Sequence, residues 1–282
     1  MSFVIDGSKK MIGLSLSPGG LLLPYHLGAL ASLAYHGILT DETPLAGSSA
    51  GAIAVAAFAA GVPSPQTLEA SIRVSSKCNP LFVARGQLMT ALRSELDSAL
   101  YPNAHEIINE REGEVGLAHY EVYPTNRPKL QTKFDTKEAL IDAICDSSMF
   151  PYFTSNRPCA FYSSPDNIFQ LSRVAVDGVF TEPGERFGCP NIKDKVDREI
   201  KIMVCPKELP HIVAAATGGD TVEFTENNDI ISPRLEKMNP IGQATRLSLM
   251  GTTSVPRKFL IDLYESGFKD AERWVRKDQA SD

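Results

Sequence analysis

The chain has 282 residues, of which 43% are hydrophobic and 22% charged, and its formal net charge is -6. This length suffices for a large buried core, and the acidic balance argues against a nucleic-acid partner, since nucleic-acid binding normally uses a basic patch. The cysteines are five in number and include no C-x-x-C pair: Cys78, Cys145, Cys159, Cys189 and Cys205. Reduced thiols in a cytoplasmic protein are therefore expected, without a disulfide framework.

The chain begins with a strand–helix–strand–helix pattern. Residues 11–16 are short and apolar, which predicts a buried strand, and a turn signal follows at residues 17–20. Residues 21–36 have helical periodicity, residues 44–47 predict a second strand, and residues 50–60 predict an alanine-rich helix. Such a unit indicates an α/β fold with parallel strands, in which both turns leave the carboxyl ends of strands, where α/β proteins place their sites.

The later elements are less regular. Helices are predicted over residues 87–100, 137–145 and 257–276, and extended segments over residues 115–122, 174–176 and 200–204. No element is predicted between Pro206 and Pro256. Since the chain contains neither a low-complexity linker nor an internal repeat, one domain over residues 1–282 is expected. Its motif-bearing part covers about residues 12–190, and its C-terminal part covers residues 206–282.

The pattern G-x-S-x-G at residues 47–51 identifies Ser49 as a candidate nucleophile. Gly47 and Gly51 allow a sharp turn between strand and helix, on which a serine hydroxyl stands clear of the backbone. A serine is a weak nucleophile until a base takes its proton. The neighbouring Ser48 is a competitor, and an ordinary glycine-rich connection is the alternative interpretation.

Two further turns carry groups that acyl transfer needs. Gly19 and Gly20 open onto a helix N-terminus, where backbone amides can stabilise the negative oxygen of a tetrahedral intermediate. A plain turn is the alternative there, and the nucleotide P-loop pattern is not met. Asp177, in the turn dipeptide with Gly178, follows a strand and is a candidate base for Ser49; a simple turn is again the alternative.

These motifs together resemble the patatin-like phospholipase family, over roughly residues 12–190. Residues 14–20 resemble its oxyanion loop, residues 46–51 its nucleophile elbow, residues 147–153 its small-residue Pro-Phe segment, and residues 176–178 its D-G-[GA] motif. The resemblance implies a three-layer sandwich, with a mainly parallel central sheet flanked by helices. It also implies a Ser49–Asp177 dyad, with the amides of Gly19, Gly20 and Leu21 as the oxyanion hole.

The implied activity is lipid acyl hydrolysis, at the carboxylic esters of phospholipids, galactolipids or acylglycerols. Two positions depart from the family pattern. Leu21, Leu22 and Leu23 stand where an arginine or lysine is common, and Val179 stands where a small residue is usual. The first departure favours a less charged substrate, or lipid bound mainly through apolar contacts. Both motivate the alternative of a lipid-binding or regulatory protein with little or no turnover.

The histidines decide whether a Ser-Asp-His triad esterase is a further alternative. His211 is the histidine that follows Asp177, in a region of poor periodicity where a solvated loop position is expected. His26 and His36, within and at the end of the first helix, are expected to cap the helix or face solvent. A dyad is therefore favoured over a triad.

Neither a metal nor an organic cofactor is implied, because the spacing of His, Cys, Asp and Glu matches neither a zinc nor a calcium site. The expected partner is a lipid or acyl-ester substrate, and the oligomeric state is left open. The polar residues 1–10 do not match a secretory signal, and residues 21–39 contain Pro24 and two histidines, which argues against a membrane span. A cytoplasmic protein is expected, with transient contact at membranes or lipid droplets left open.

Overall fold

The computed structural model describes residues 11–77, 86, 88–163, 167, 170–209 and 229–280. Its first elements are β1 (Ile12–Leu16), a 3-10 turn (Gly20–Leu22), α1 (Leu23–Tyr35), β2 (Leu45–Ser48) and α2 (Ala50–Ala59). β1 and β2 are parallel, so the predicted strand–helix–strand–helix unit is confirmed. Proline is tolerated in the first turn of α1 because the amides there have no intrahelical acceptor.

The remaining elements follow in chain order. Three helices come next: α3 (Ser64–Ser76), α4 (Leu88–Ala99) and α5 (Ala104–Glu110). The middle of the chain contributes β3 (Val115–Tyr123), β4 (Arg127–Gln131), α6 (Lys137–Ser147), β5 (Ala160–Ser163) and β6 (Leu171–Val176). The last elements are β7 (Arg198–Ile202), β8 (Ile230–Ile231), α7 (Pro240–Thr252) and α8 (Arg257–Gln279).

The strands form one sheet in the order β5-β6-β3-β2-β1-β7-β8, and β4 also pairs with β3. The pairings of β1 with β2, β1 with β7, β2 with β3 and β7 with β8 are parallel. Those of β3 with β4, β3 with β6 and β5 with β6 are antiparallel. The predicted α/β fold with a mainly parallel central sheet flanked by helices is confirmed.

The register of β3 brings the end of β6 to the end of β2. Ser48, the last residue of β2, pairs with Ala118, and Val176, the last residue of β6, pairs with Tyr120. β4 pairs with the same stretch of β3 and therefore takes its other edge. β2 and β6 thus share one edge of β3 and run toward each other. As a result, the residues that follow Ser48 and Val176 meet at the same place on the sheet.

α1 packs closely against the C-terminal helix α8. A Cβ atom on Gly28 would lie 1.9 Å from the carbonyl oxygen of Tyr264, and one on Gly267 would lie 2.0 Å from that of Tyr25. A larger residue at either glycine would force the two helices apart. Trp274 of α8 is buried in the same core. The apolar stripe of α8 therefore packs into the core.

Candidate active site

Ser49 lies in the sharp turn that joins β2 to α2. Its backbone has φ 53° and ψ -117°, a conformation that a residue other than glycine adopts only when its surroundings hold it there. A Cβ atom on Gly47 would lie 2.4 Å from the Gly51 carbonyl, and one on Gly51 would lie 2.6 Å from the Leu16 carbonyl oxygen. The turn is this tight because both flanking positions are glycine. The predicted motif is therefore located on the predicted strand-to-helix turn.

Ser147, the last residue of α6, holds the backbone of this turn. Its hydroxyl oxygen accepts a hydrogen bond from the Ser49 amide at 2.8 Å, and its side chain is fully buried. Ser49 precedes the first turn of α2, so its amide takes no part in the hydrogen bonds within that helix. The Ser147 hydroxyl supplies the acceptor that this amide needs. The sequence gives no local signal for this contact, since 98 residues separate the two serines.

Asp177 directly follows β6, and its side chain is almost fully buried. Its Oδ1 accepts a hydrogen bond from the Val179 amide at 2.8 Å. Burial raises the pKa of Asp177 to about 7, and the hydrogen bonds from the Val179 amide and the Ser49 side chain offset part of that rise. The structure therefore brings Ser49 and Asp177 into contact across 128 positions of sequence, with the carboxyl group poised to bind a proton near neutral pH.

The glycine loop borders the same space. Gly20 has φ 54°, and a Cβ atom there would lie 2.3 Å from the Gly251 carbonyl oxygen of α7. Any side chain at this position would be strained and would collide with that backbone. Gly19, Gly20 and Leu21 line one cavity together with Ser49 and Asp177. The expected nucleophile, its expected base and the three residues of the expected oxyanion loop thus line one cavity, whereas Gly47 and Gly51 shape the turn beside it.

This cavity has a volume of about 470 Å³ and a mostly apolar lining. Ile53 and Ala57 of α2 line it and follow Ser49 at intervals of four residues, so they form a stripe on the same face of the helix. Ala57 lies about 12 Å along α2 from Ser49, at a rise of about 1.5 Å per residue. The other walls come from α3, α4 and α7. The cavity therefore offers an apolar space that extends from Ser49 along α2.

Charge is scarce in this cavity. Glu95 of α4 and Asp177 are the charged residues that line it within the described ranges, and the described lining includes no lysine, arginine or histidine. Leu21, Leu22 and Leu23, which replace the cation common in the family, are all buried at its wall.

The expectation that His26 caps the helix or faces solvent is wrong. His26 is fully buried, and its Nε2 lies 2.7 Å from the Ser17 carbonyl oxygen. Burial lowers its pKa to about 4, so the ring is neutral near pH 7. The sequence misses this because the apolar face of α1 extends around most of the helix. His211 and Cys78 lie outside the described residues.

The described part of the chain contains no group of three or more His, Cys, Asp and Glu side chains that could hold a metal ion. Within the same ranges, no helix is both long enough and apolar enough to cross a membrane.

A family model for patatin-like phospholipase matches residues 14–183, which is more than half of the chain. The chain belongs to this family. The match includes the glycine loop, the Ser49 turn and Asp177, so the resemblance seen in the sequence motifs is confirmed. Membership is consistent with activity on lipids, in agreement with the apolar cavity beside Ser49.

Two human proteins are similar in sequence. One is 1-acylglycerol-3-phosphate O-acyltransferase PNPLA3 from Homo sapiens, 29% identical over 193 residues, which cover 64% of this chain and 39% of that protein. The other is patatin-like phospholipase domain-containing protein 4 from Homo sapiens, 30% identical over 154 residues, which cover 51% of this chain and 58% of that protein. The matched regions thus span about half the length of these relatives.

Two solved structures are also similar. VipD from Legionella pneumophila aligns over 95% of this chain and 67% of its own, with 11% identity and a TM-score of 0.48. The complex ExoU-SpcU of the type III secretion system of Pseudomonas aeruginosa aligns over 95% of this chain and 52% of the matched chain, with 14% identity and a TM-score of 0.38.

Proposed function

We propose that this chain hydrolyses carboxylic ester bonds of lipids through a Ser49–Asp177 dyad. The observation that carries the proposal is the contact between a serine on a strained turn and a buried carboxyl group, at the wall of an apolar cavity. An acid with a pKa of about 7 is half ionised near neutral pH, which suits a general base that must take up and release a proton. Membership in a lipid-acting family supports the same conclusion.

The proposed reaction has two steps. Asp177 takes the hydroxyl proton of Ser49 as Oγ attacks the ester carbonyl, and the amides of Gly19, Gly20 and Leu21 stabilise the resulting oxyanion. Collapse of this intermediate breaks the ester bond, and the alcohol leaves with the proton from Asp177. Water then attacks the acyl-serine while Asp177 takes its proton, and the fatty acid departs as Ser49 regains a proton.

The cavity supports an acyl chain as the bound part of the substrate. The stripe of Ile53 and Ala57 leads away from Ser49 through apolar walls, which suits a methylene chain attached to the reacting carbonyl. The absence of a cation from the described lining leaves an anionic phosphate without a partner inside it. We therefore place uncharged lipids, acylglycerols and galactolipids, ahead of phospholipids as substrates.

In an alternative reaction, the acyl group of the same acyl-enzyme is transferred to an alcohol instead of water. Acyl transfer is the reaction class in the name of the PNPLA3 relative. The acceptor in that name carries a phosphate, for which the described cavity lining has no cation. Water is therefore the favoured acceptor here. Adding lysophosphatidic acid to the assay and searching for phosphatidic acid tests this choice.

Ser49→Ala and Ser48→Ala form a matched pair for testing the proposal, since they remove the same hydroxyl from adjacent positions. Ser48 is fully buried, and its hydroxyl donates to the Gly178 carbonyl oxygen at 3.3 Å. We expect a fluorophosphonate probe to label the wild type and Ser48→Ala, but not Ser49→Ala, and hydrolysis of a lipid panel to follow the labelling. Hydrolysis at the wild-type rate by folded Ser49→Ala would refute the mechanism.

The remaining alternatives give different results in the same experiment. A lipid-binding protein without turnover binds the acyl chain but neither labels nor hydrolyses. A Ser-Asp-His triad loses activity in His211→Ala, whereas the dyad leaves that variant active.

A further inference from the structure

His26 connects the two ends of the glycine loop. It is the fourth residue of α1, and its Nε2 lies 2.7 Å from the carbonyl oxygen of Ser17, the residue that follows β1. The imidazole therefore links α1, the helix after the glycine loop, to the residue that directly follows β1, the strand before the loop. Both groups are buried, so water does not compete for this bond.

The chemistry of the pair determines the tautomer. A carbonyl oxygen only accepts hydrogen bonds, so Nε2 carries the hydrogen and Nδ1 presents a lone pair. Nδ1 of His26 is buried and has no hydrogen-bond partner among the described residues. An unpaired buried acceptor is destabilising, and an apolar side chain at this position would avoid that cost. The hydrogen bond to Ser17 is therefore the interaction that offsets the cost of burying a histidine here.

Ser17 is also held from the opposite side. Its amide donates to the Ile202 carbonyl oxygen at 3.0 Å, and its hydroxyl oxygen accepts from the Val204 amide at 3.4 Å. Both of these partners lie at the end of β7, beyond which the chain turns away. The bonds to this region thus hold the Ser17 amide and side chain, while the bond from His26 orients the peptide plane that joins Ser17 to Pro18.

The orientation of that plane determines where the following amides point. The next residue is Pro18, whose ring restricts φ to about -65°. Because Pro18 does not rotate freely about its N–Cα bond, a rotation of the Ser17 carbonyl moves Pro18 and Gly19 together. A small rotation at Ser17 therefore displaces the Gly19 and Gly20 amides relative to Ser49.

We propose that His26 is a positioning residue, which holds the oxyanion-stabilising amides of the glycine loop in place through the Ser17 carbonyl. This inference rests on the proposed hydrolase function. His26 itself does not contact the reacting atoms in this role. The oxyanion forms only in the transition state, so a displaced loop lowers kcat and leaves KM nearly unchanged.

Glutamine and asparagine at position 26 provide a matched test. The amide nitrogen of His26→Gln falls near the position of Nε2 and can donate to Ser17, whereas that of His26→Asn falls near Nδ1 and cannot. We expect His26→Gln to retain kcat within a few-fold, and His26→Asn and His26→Leu to lower it about ten- to hundred-fold, with KM within about twofold. Rates are expressed per fluorophosphonate-reactive site, and thermal melting reports the fold.

A merely structural role gives a different result. The melting temperature then falls in all three variants, while kcat per reactive site stays at the wild-type value. That result, or equal kcat in His26→Gln and His26→Asn, would overturn the proposal. If His26→Leu fails to fold, the comparison of kcat between His26→Gln and His26→Asn still tests the proposal.

The wild type and Ser49→Ala are measured alongside. An inactive wild type, or an active Ser49→Ala, means that the proposed function has failed. An active wild type with an inactive Ser49→Ala, but without the difference between glutamine and asparagine, means that the His26 proposal alone has failed.

Discussion

Replacing Asp177 by asparagine is expected to abolish ester hydrolysis and to stabilise the folded chain at neutral and alkaline pH. The carboxyl group is almost fully buried, and burial raises its pKa to about 7. Its ionised form is therefore disfavoured in the folded protein relative to the unfolded chain. Asparagine has nearly the same shape, and its Oδ1 can still accept the hydrogen bond from Val179. The substitution thus removes the buried charge without disturbing the turn.

The magnitude follows from the two pKa values of the carboxyl group. Below its ordinary pKa of 3.8, Asp177 is protonated in both folded and unfolded chains, so ionisation does not affect stability. As the pH rises from there through about 7, the unfolded chain ionises first and the folded state loses stability. A tenfold change in an ionisation constant is worth about 1.4 kcal/mol, so the loss reaches about 4 kcal/mol above pH 7 and is below about 2 kcal/mol at pH 5.

Urea unfolding of wild type and Asp177→Asn at about pH 5 and pH 8 measures this difference. The advantage of the variant is expected to grow by about 3 kcal/mol between the two conditions. Asp135→Asn, the same exchange at an exposed position, serves as the control. An advantage that is equal at both pH values, or a variant less stable than wild type at pH 8, would refute the assignment of a buried carboxylate at this site.

Three further outcomes are expected. The kcat/KM of the wild type should fall tenfold per pH unit below about pH 7, because Asp177 must be ionised to act as a base; a flat profile down to pH 5 contradicts this role. Ser147→Ala should slow fluorophosphonate labelling about tenfold, since the buried Ser49 amide loses its acceptor; an unchanged labelling rate would show that the turn holds its conformation unaided. Ala57→Phe should fill the cavity and abolish hydrolysis of long-chain esters while butyryl esters are still cleaved; an equal loss on both would place the acyl chain elsewhere.

The sequence by itself determined the elements that carry the glycine loop and Ser49. Turn residues and apolar periodicity are local signals, so they were sufficient to place β1, α1, β2 and α2 to within a few residues of their observed bounds. The G-x-S-x-G pattern located Ser49 on the turn between the last two. The C-terminal helix was equally clear, because its apolar stripe repeats over many turns. By contrast, α7 was missed, since it buries only Gln243 and Gly251 within its span and so lacks a strong apolar stripe.

Tertiary structure alone decided how these groups act together. The strand before Asp177 is antiparallel to β3, and its register brings the carboxyl group to Ser49. The Ser49 amide donates a hydrogen bond to Ser147, which lies 98 residues further along the chain. The burial that raises the pKa of Asp177 likewise comes from the packed fold rather than from its neighbours in sequence. The cavity likewise forms only where α2, α3, α4 and α7 meet. Such contacts depend on how the elements pack, and packing between distant segments leaves no period in either segment's own sequence.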